Sequence, residues 1–337
     1  MKPTIVFFLF SALCAVSVGC AGRNADSVTE NSDKELAEEF NKDDSLLEES
    51  TGSIGFGYVD PPQNGYVYDG TELEVPYYIE NTGGENEQNA EVGLLFFVDG
   101  EAQPYSTNED GKETDESYMH KFSIAPGDRL DFDAAFTPVS GKEGEEIGLI
   151  PAIIWNPDYI PEDLDSARFG NCYSLSANVP LTITMQADGS GIHTPSSKEA
   201  EITDIPEDII LSLEDTYSEG AYDFLDDSVG FEIETENDKS VLEAENGKVN
   251  VTLNLYGGKQ VTDKITLFIG NQPVQIEDGD YTVIHTQKDK MCQVKAQIDV
   301  KALKEPAVMY AVAMTSGDDY ITQDIYMTAP VLIQPGN

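Results

Sequence analysis

The chain has 337 residues, with 63 acidic against 19 basic side chains and a formal net charge of −44. A field of that sign repels phosphate backbones and anionic head groups, so nucleic acid is excluded as a partner and the acidity reads as solubility and self-repulsion. The length suits about two domains, and no stretch beyond residue 20 has the length and apolarity of a membrane-spanning helix.

In chain order, residues 1–19 read as a lipoprotein signal peptide. Lys2 supplies the positive start, and the apolar run over 5–19 is too short and too early for a span. The run ends in Ser17-Val18-Gly19-Cys20, which resembles the bacterial lipobox, with Ser17 where that motif usually has Leu. The resemblance implies lipid attachment at Cys20, a new N-terminus there, and a lipid anchor on the extracytoplasmic face of a bacterial cell membrane. An ordinary signal cut nearby, with Cys20 incidental, is the plainer alternative. Residues 20–52 carry 10 acidic and 3 basic side chains and few apolar ones. They read as a disordered acidic tether with a reach of about 30 Å as a flexible coil.

The remainder repeats itself. Ser53-Ile54-Gly55-Phe56 matches Ser228-Val229-Gly230-Phe231, and the alternation Leu73, Val75, Tyr77, Ile79 matches Val249, Val251, Leu253, Leu255. Phe96-Phe97-Val98 matches Leu267-Phe268-Ile269. Ala152-Ile153-Ile154, followed by Asp158-Tyr159-Ile160, matches Ala313-Met314-Thr315, followed by Asp319-Tyr320-Ile321. Val179 to Ile183 matches Ala329 to Ile333. Five matches in one order, with gaps confined to polar stretches, indicate a duplicated domain whose loops changed length. The offset runs 175, 176, 171, 161 and 150.

Alternating apolar residues and turn signals at Asn81 to Gly84, Asp99-Gly100, Pro126-Gly127-Asp128, Gly257-Gly258 and Gly270-Asn271 predict short strands. In the first copy they fall near 53–59, 71–80, 92–98, 117–124, 129–137, 147–155 and 173–185. The fold class is all-β, with two tandem antiparallel Ig-like β-sandwiches at 53–186 and 228–337. Phe56, Phe231, Phe97 and Phe268 are expected in the cores between their own two sheets. The connection 187–227 holds 12 acidic residues and 1 basic one. Its Ile209-Ile210-Leu211-Ser212-Leu213 run predicts an edge strand or a short helix docked on a neighbour.

Gly70 to Gly83, followed by Leu95-Phe96-Phe97-Val98-Asp99-Gly100, is similar to the bacterial cell-adhesion-related CARDB type of Ig-like domain. That family alternates apolar residues up to an Asn-x-Gly turn and then has a strand ending in Asp-Gly. Phe122 to Asp128 resembles its Pro-Gly turn. The likeness covers about half of the first copy and is weaker in the second. It implies a sandwich used in surface display or adhesion.

Residue groupings that suggest chemistry are few. His120, His193 and His285 stand apart from any Ser or Cys triad partner, and His120 and His193 are expected at the surface. Cys172 and Cys292 fall in different copies and are read as unpaired, without zinc-type spacing. Paired carboxylates abound, so none singles itself out as a glycosidase pair. No cofactor and no metal site is expected. Asn108 to Gly111 fails as a calcium loop because Ser106 and Ser117 would hold the first and last ligand positions. Asp226-Asp227 and Asp318-Asp319 could supply oxygens between domains, but solvated loops are the simpler reading.

The first copy exceeds the second in three loops, 81–91, 105–117 and 156–172, and long loops on a rigid sandwich are where binding resides. Trp155, the only tryptophan, leads into the third. Trp155, Asn156, Asp158 and Tyr159 form the candidate ligand site, able to stack on a sugar or anchor a protein. The competing reading makes Trp155 the end of a core strand and Tyr159 a cap. The expected function is a non-catalytic surface lipoprotein for adhesion, display or envelope assembly. Its partners would be the membrane, through the anchor, and an envelope protein or glycan. A carbohydrate-binding lipoprotein and a calcium-rigidified stalk are the alternatives.

Overall fold

A computed structural model describes residues 54–336, except 85–87, 165–166, 218–219, 236–239 and 318–324. The signal segment, Cys20 and the acidic tether lie outside the described residues. The first sandwich runs through β1 (Ile54–Tyr58), β2 (Tyr66–Tyr68), β3 (Leu73–Asn81), β4 (Ala90–Val98), β5 (Glu101–Gln103), β6 (Ser106–Glu109), β7 (Lys112–Glu113), β8 (Met119–Ile124), β9 (Arg129–Phe136), β10 (Glu146–Trp155), β11 (Leu175–Ala177) and β12 (Leu181–Met185). The connection contributes β13 (Glu201–Asp204) and two helices, α1 (Glu207–Thr216) and α2 (Ala221–Asp227). The second sandwich holds β14 (Val229–Ile233), β15 (Val241–Glu243), β16 (Lys248–Gly257), β17 (Thr262–Ile269), β18 (Gln272–Val274), β19 (Thr282–His285), β20 (Lys290–Asp299), β21 (Ala307–Thr315), β22 (Ile325–Met327) and β23 (Val331–Gln334).

Each copy is an Ig-like sandwich of a smaller and a larger sheet. The small sheets have the orders β1-β3-β9-β6-β7 and β13-β20-β16-β14. The seven-stranded sheets have the orders β2-β12-β10-β4-β5 and β15-β23-β21-β17-β18, with β11 and β8, and β22 and β19, on their flanks. Pairing is antiparallel except for β2 with β12 and β15 with β23, which run parallel. Alternation builds the small sheets. Leu73, Val75, Tyr77 and Ile79 are buried in the first core, and Val249, Val251, Leu253 and Leu255 in the second, while the residues between them point outward.

The central strands β4, β10, β17 and β21 are buried on both faces, because the two seven-stranded sheets pack against each other. Phe97 and Phe268 therefore do not enter the cores of their own sandwiches. They meet in a separate apolar layer between the copies, their rings 6.5 Å apart and edge to face. Ile150, Ile154, Tyr310 and Met314 fill the same layer, with Tyr310 stacked on Phe268 at 5.1 Å. Burying one such ring is worth roughly 1.5–3 kcal/mol. Near-continuous apolar runs such as Gly93 to Val98 follow from this double burial. Phe56 and Phe231 do pack against their own cores, half-buried.

Strand register moves one of the sequence matches. Phe97 lies opposite Ile150, and Phe268 lies opposite Tyr310, so Ala152 corresponds to Val312 rather than to Ala313. Ala152 and Val312 both face the layer between the copies, whereas Ala313 faces the second core. A slip of one residue exchanges the two faces of a strand.

The connection between the copies is ordered along its described length. Gly189, Ser190 and Gly191 donate backbone hydrogen bonds to the carbonyls of Gly141, Pro138 and Val139. Thr194 and Ser197 then donate backbone N–H bonds to Asp280 and Asp278, at 2.9 Å each. β13 adds to the edge of β20. The apolar run 209–213 forms helix α1, which starts after Pro206 with Glu207 and Asp208 in its first turn, where the helix dipole favours acids. Ile209, Ile210 and Leu213 join Phe224 and Leu225 of α2 over Met291 and Tyr256, on the outer face of the second small sheet.

Candidate functional site

The loop following β10 is built by Asn156, whose φ of 45° turns the chain through the left-handed region that Asn tolerates. Its N–H bonds the Glu91 carbonyl at 2.8 Å. Trp155 is half-buried and packs inward against the first core. Asp158 is exposed and ion-paired with Lys121. Tyr159 is half-buried, donates to the Arg168 carbonyl at 3.3 Å and meets Phe169 edge-on. The four residues thus diverge, Trp155 toward the core and Asp158 toward solvent.

The rest of that loop belongs to the contact between the copies. The Pro157 carbonyl accepts from the Tyr173 hydroxyl at 2.6 Å and from Asn271 of the second sandwich at 2.7 Å. Ala167, Phe169, Cys172 and Tyr173 are buried in the shared apolar layer. Within loop 105–117, the β6–β7 hairpin extends the first small sheet through β9. Cys172 and Cys292 are both buried free thiols, and burial pushes each thiol up.

A second cluster lies at the same junction, where sequence reading sees only turn and linker residues. Lys264 of β17 donates to Asp99 and Glu101 of the first sandwich, at 2.8 Å each. Asp99 also accepts the Gly317 N–H at 3.0 Å. Gly100, with φ +80°, lets this turn lie against the Met314 carbonyl, 3.2 Å from where a Cβ would stand. Asn271 makes the equivalent crossing from the second copy.

His193, expected at the surface, is instead enclosed, its side chain 8% exposed beside a Glu101 side chain 5% exposed. Its Nδ1 stands 3.4 Å from Glu101 and its Nε2 3.0 Å from the Tyr118 hydroxyl. A carboxylate only accepts, so Nδ1 carries the proton, and in neutral His193 Nε2 accepts from Tyr118. His120 is half-buried elsewhere, its Nε2 2.8 Å from the Tyr105 carbonyl, and burial lowers its pKa.

Burial raises the Glu101 carboxyl, but the hydrogen bond from His193 and the charge and hydrogen bond of Lys264 outweigh it, and its pKa falls below the ordinary carboxylate value. Burial lowers Lys264 in turn, and Asp99 and Glu101 more than offset that, so it stays charged. The Tyr118 hydroxyl is raised by burial, then by Asp280 and Glu116. A Tyr–His–Glu chain could generate a nucleophile only if the hydroxyl lost its proton easily. Here it is held protonated, and the groups beneath it are spent on one another. Among the described residues, no three His, Cys, Asp or Glu side chains converge as metal ligands. Asp226 is ion-paired with Lys288, and the Asp318-Asp319 pair lies outside the described residues.

No family model matches the chain, and no curated protein does. Among solved structures, it is similar to the CsuC–CsuE chaperone–tip adhesion subunit pre-assembly complex of Acinetobacter baumannii. The identity is 12%, over 82% of this chain and 98% of that one, with a TM-score of 0.20. The CupB6 tip adhesin of Pseudomonas aeruginosa is 9% identical over 86% of this chain and 99% of its own, with a TM-score of 0.20. AvmM, which catalyses macrocyclization in alchivemycin A biosynthesis, is 10% identical over 44% of this chain and 93% of its own, with a TM-score of 0.28. Scores this low carry no functional argument. The fold rests on the chain's own sheets.

Proposed function

We propose that this protein is a non-catalytic lipoprotein of the bacterial cell surface, attached through Cys20 and acting by contact in adhesion, display or envelope assembly. The observation that carries the reading is the use of the buried polar groups. Asp99 and Glu101 of the first sandwich bond Lys264 of the second, and His193 of the connection bridges Glu101 and Tyr118, so the buried charges serve to join the sandwiches. The Ser17-Val18-Gly19-Cys20 end of the apolar N-terminal run supports the anchor, and the resemblance of the first copy to the adhesion-related Ig-like family supports the role.

Mass spectrometry of the mature N-terminus tests the anchor, with a lipid-modified Cys20 expected. An unmodified N-terminus elsewhere removes it. Capture of envelope proteins or glycans on the joined pair of sandwiches tests the contact role. Hydrolysis of an envelope polymer, abolished by a single substitution, would replace this reading with an enzymatic one.

A further inference from the structure

Above the buried ion pairs the junction opens into a small cleft with about 70 Å³ of free space. Tyr118, His193, Thr266, Gln275, Asp280 and Tyr281 line it. One enclosed water takes roughly 10–15 Å³ on this scale, so the space suits about five non-hydrogen atoms. We propose that this cleft is a binding site for a small organic cation, the head group of an alkylammonium compound. The proposal does not depend on the surface-contact reading.

Three features point to a cation. The first is formal charge: the Asp280 carboxylate lines the cleft, and beneath it the carboxylates of Asp99 and Glu101 share one ammonium, that of Lys264. The second is the wall. Tyr118, its ring stacked on His193 at 6.0 Å, and Tyr281 line the space, and aromatic rings attract alkylammonium groups. Tyr281 already has a cation over its ring, with Lys264 Nζ 5.3 Å from the centroid. The third is the response of the two phenols. After burial, the largest cause, Asp280 and Glu116 raise Tyr118, and Glu101 raises Tyr281 while Lys264 lowers it. Clefts at domain junctions, with a few convergent polar groups, are also where small-molecule sites concentrate.

Tetramethylammonium chloride has the right size and charge, and tert-butanol is its neutral counterpart. The full chain, labelled for NMR, is titrated with each at constant ionic strength. Saturable shifts at Tyr118, His193 and Tyr281 are expected for the cation, with at least about tenfold weaker binding of the alcohol. Asp280→Asn removes one charge with little change of shape and should weaken the cation about tenfold while leaving the alcohol unchanged. Equal binding of the two probes, shifts that never saturate, or a folded Asp280→Asn variant with unchanged affinity would overturn the proposal. The contrast between cation and alcohol in the unmodified chain decides the matter even if Asp280→Asn does not fold.

Discussion

The two sandwiches share strand order and core positions, yet they finish their small sheets differently. The first extends β9 with its own hairpin, β6–β7. Among its described residues the second has no such hairpin, and the linker strand β13 occupies the equivalent edge of β20. Their outer faces differ at matched positions as well. Glu80 and Arg129 lie opposite each other on β3 and β9, and Tyr256 and Met291 lie opposite each other on β16 and β20. The first pair is half-exposed and charged, with Arg129 3.9 Å from the Tyr78 ring centroid. The second pair is covered by α1 and α2. The two sandwiches match in their cores and in the register of their central strands, and they differ where the connecting chain is accommodated.

Separating the two sandwiches should have the largest effect. Each copy alone would expose its seven-stranded face, with Phe97 and Ile150 on one and Phe268 and Tyr310 on the other. An apolar sheet face of that size seeks a partner. Residues 53–186 expressed alone should sediment as dimers or larger species, whereas residues 53–337 should sediment as a single compact body. A well-behaved monomer of 53–186 would show that the junction is dispensable.

Within the intact chain, Lys264→Met strips the counter-charge from two enclosed carboxylates. Leaving a buried charge unpaired costs about 3–5 kcal/mol, read as a lowered midpoint in urea. Adding Asp99→Asn and Glu101→Gln to Lys264→Met should recover most of the loss. If the triple variant is no more stable than the single one, Lys264 acts through its packing and not its charge.

The matched outer positions give a finer test. Met291→Arg places a charge beneath the two helices, beside Ile205 and Leu225, and should cost about 2–3 kcal/mol. Arg129→Met makes the reciprocal change on the open face and should leave the melting temperature unmoved, since exposed ion pairs contribute little. Equal effects would mean that the helices do not seal the second sheet.

Much of this architecture is legible in the sequence. Alternation locates β3 and β16, turn residues bracket β4 and β17, and the run at 209–213 marks a docked element without deciding between edge strand and helix. What stays hidden is the partner of each face. A strand such as Leu94 to Val98 is apolar on both sides, and sequence alone does not say that Phe97 looks away from its own core. The same ambiguity lets the β10 and β21 runs match one residue out of register. His193 looks like a solvated linker residue because its partners, Glu101 and Tyr118, lie 92 and 75 positions away. Asp99 reads as a plain turn residue until the second sandwich brings Lys264 to it. Trp155 draws attention by its rarity, but the chain places it at the end of a core strand. The loop beyond it is long partly because it spans the junction.

The smallest effect separates the junction from the outer faces by pH. Glu101 is depressed in the folded protein relative to its ordinary value of 4.5, so folding favours its ionised form. Its contribution is complete above that ordinary value and fades as pH falls through the lower, folded one. Lys264 is raised above 10.5, so its share holds below that value and is lost as pH climbs through the folded one. Glu101→Gln removes the acid-side linkage while keeping the shape and one acceptor. It should cost about 1 kcal/mol near neutral pH and flatten the fall in stability below pH ~4.5. Arg129→Met should leave that slope unchanged, because the Arg129 group is exposed and screened. An acid limb of the same steepness in Glu101→Gln and the parent chain would mean that other carboxylates govern the acid response, leaving Glu101 as a packing residue of the junction.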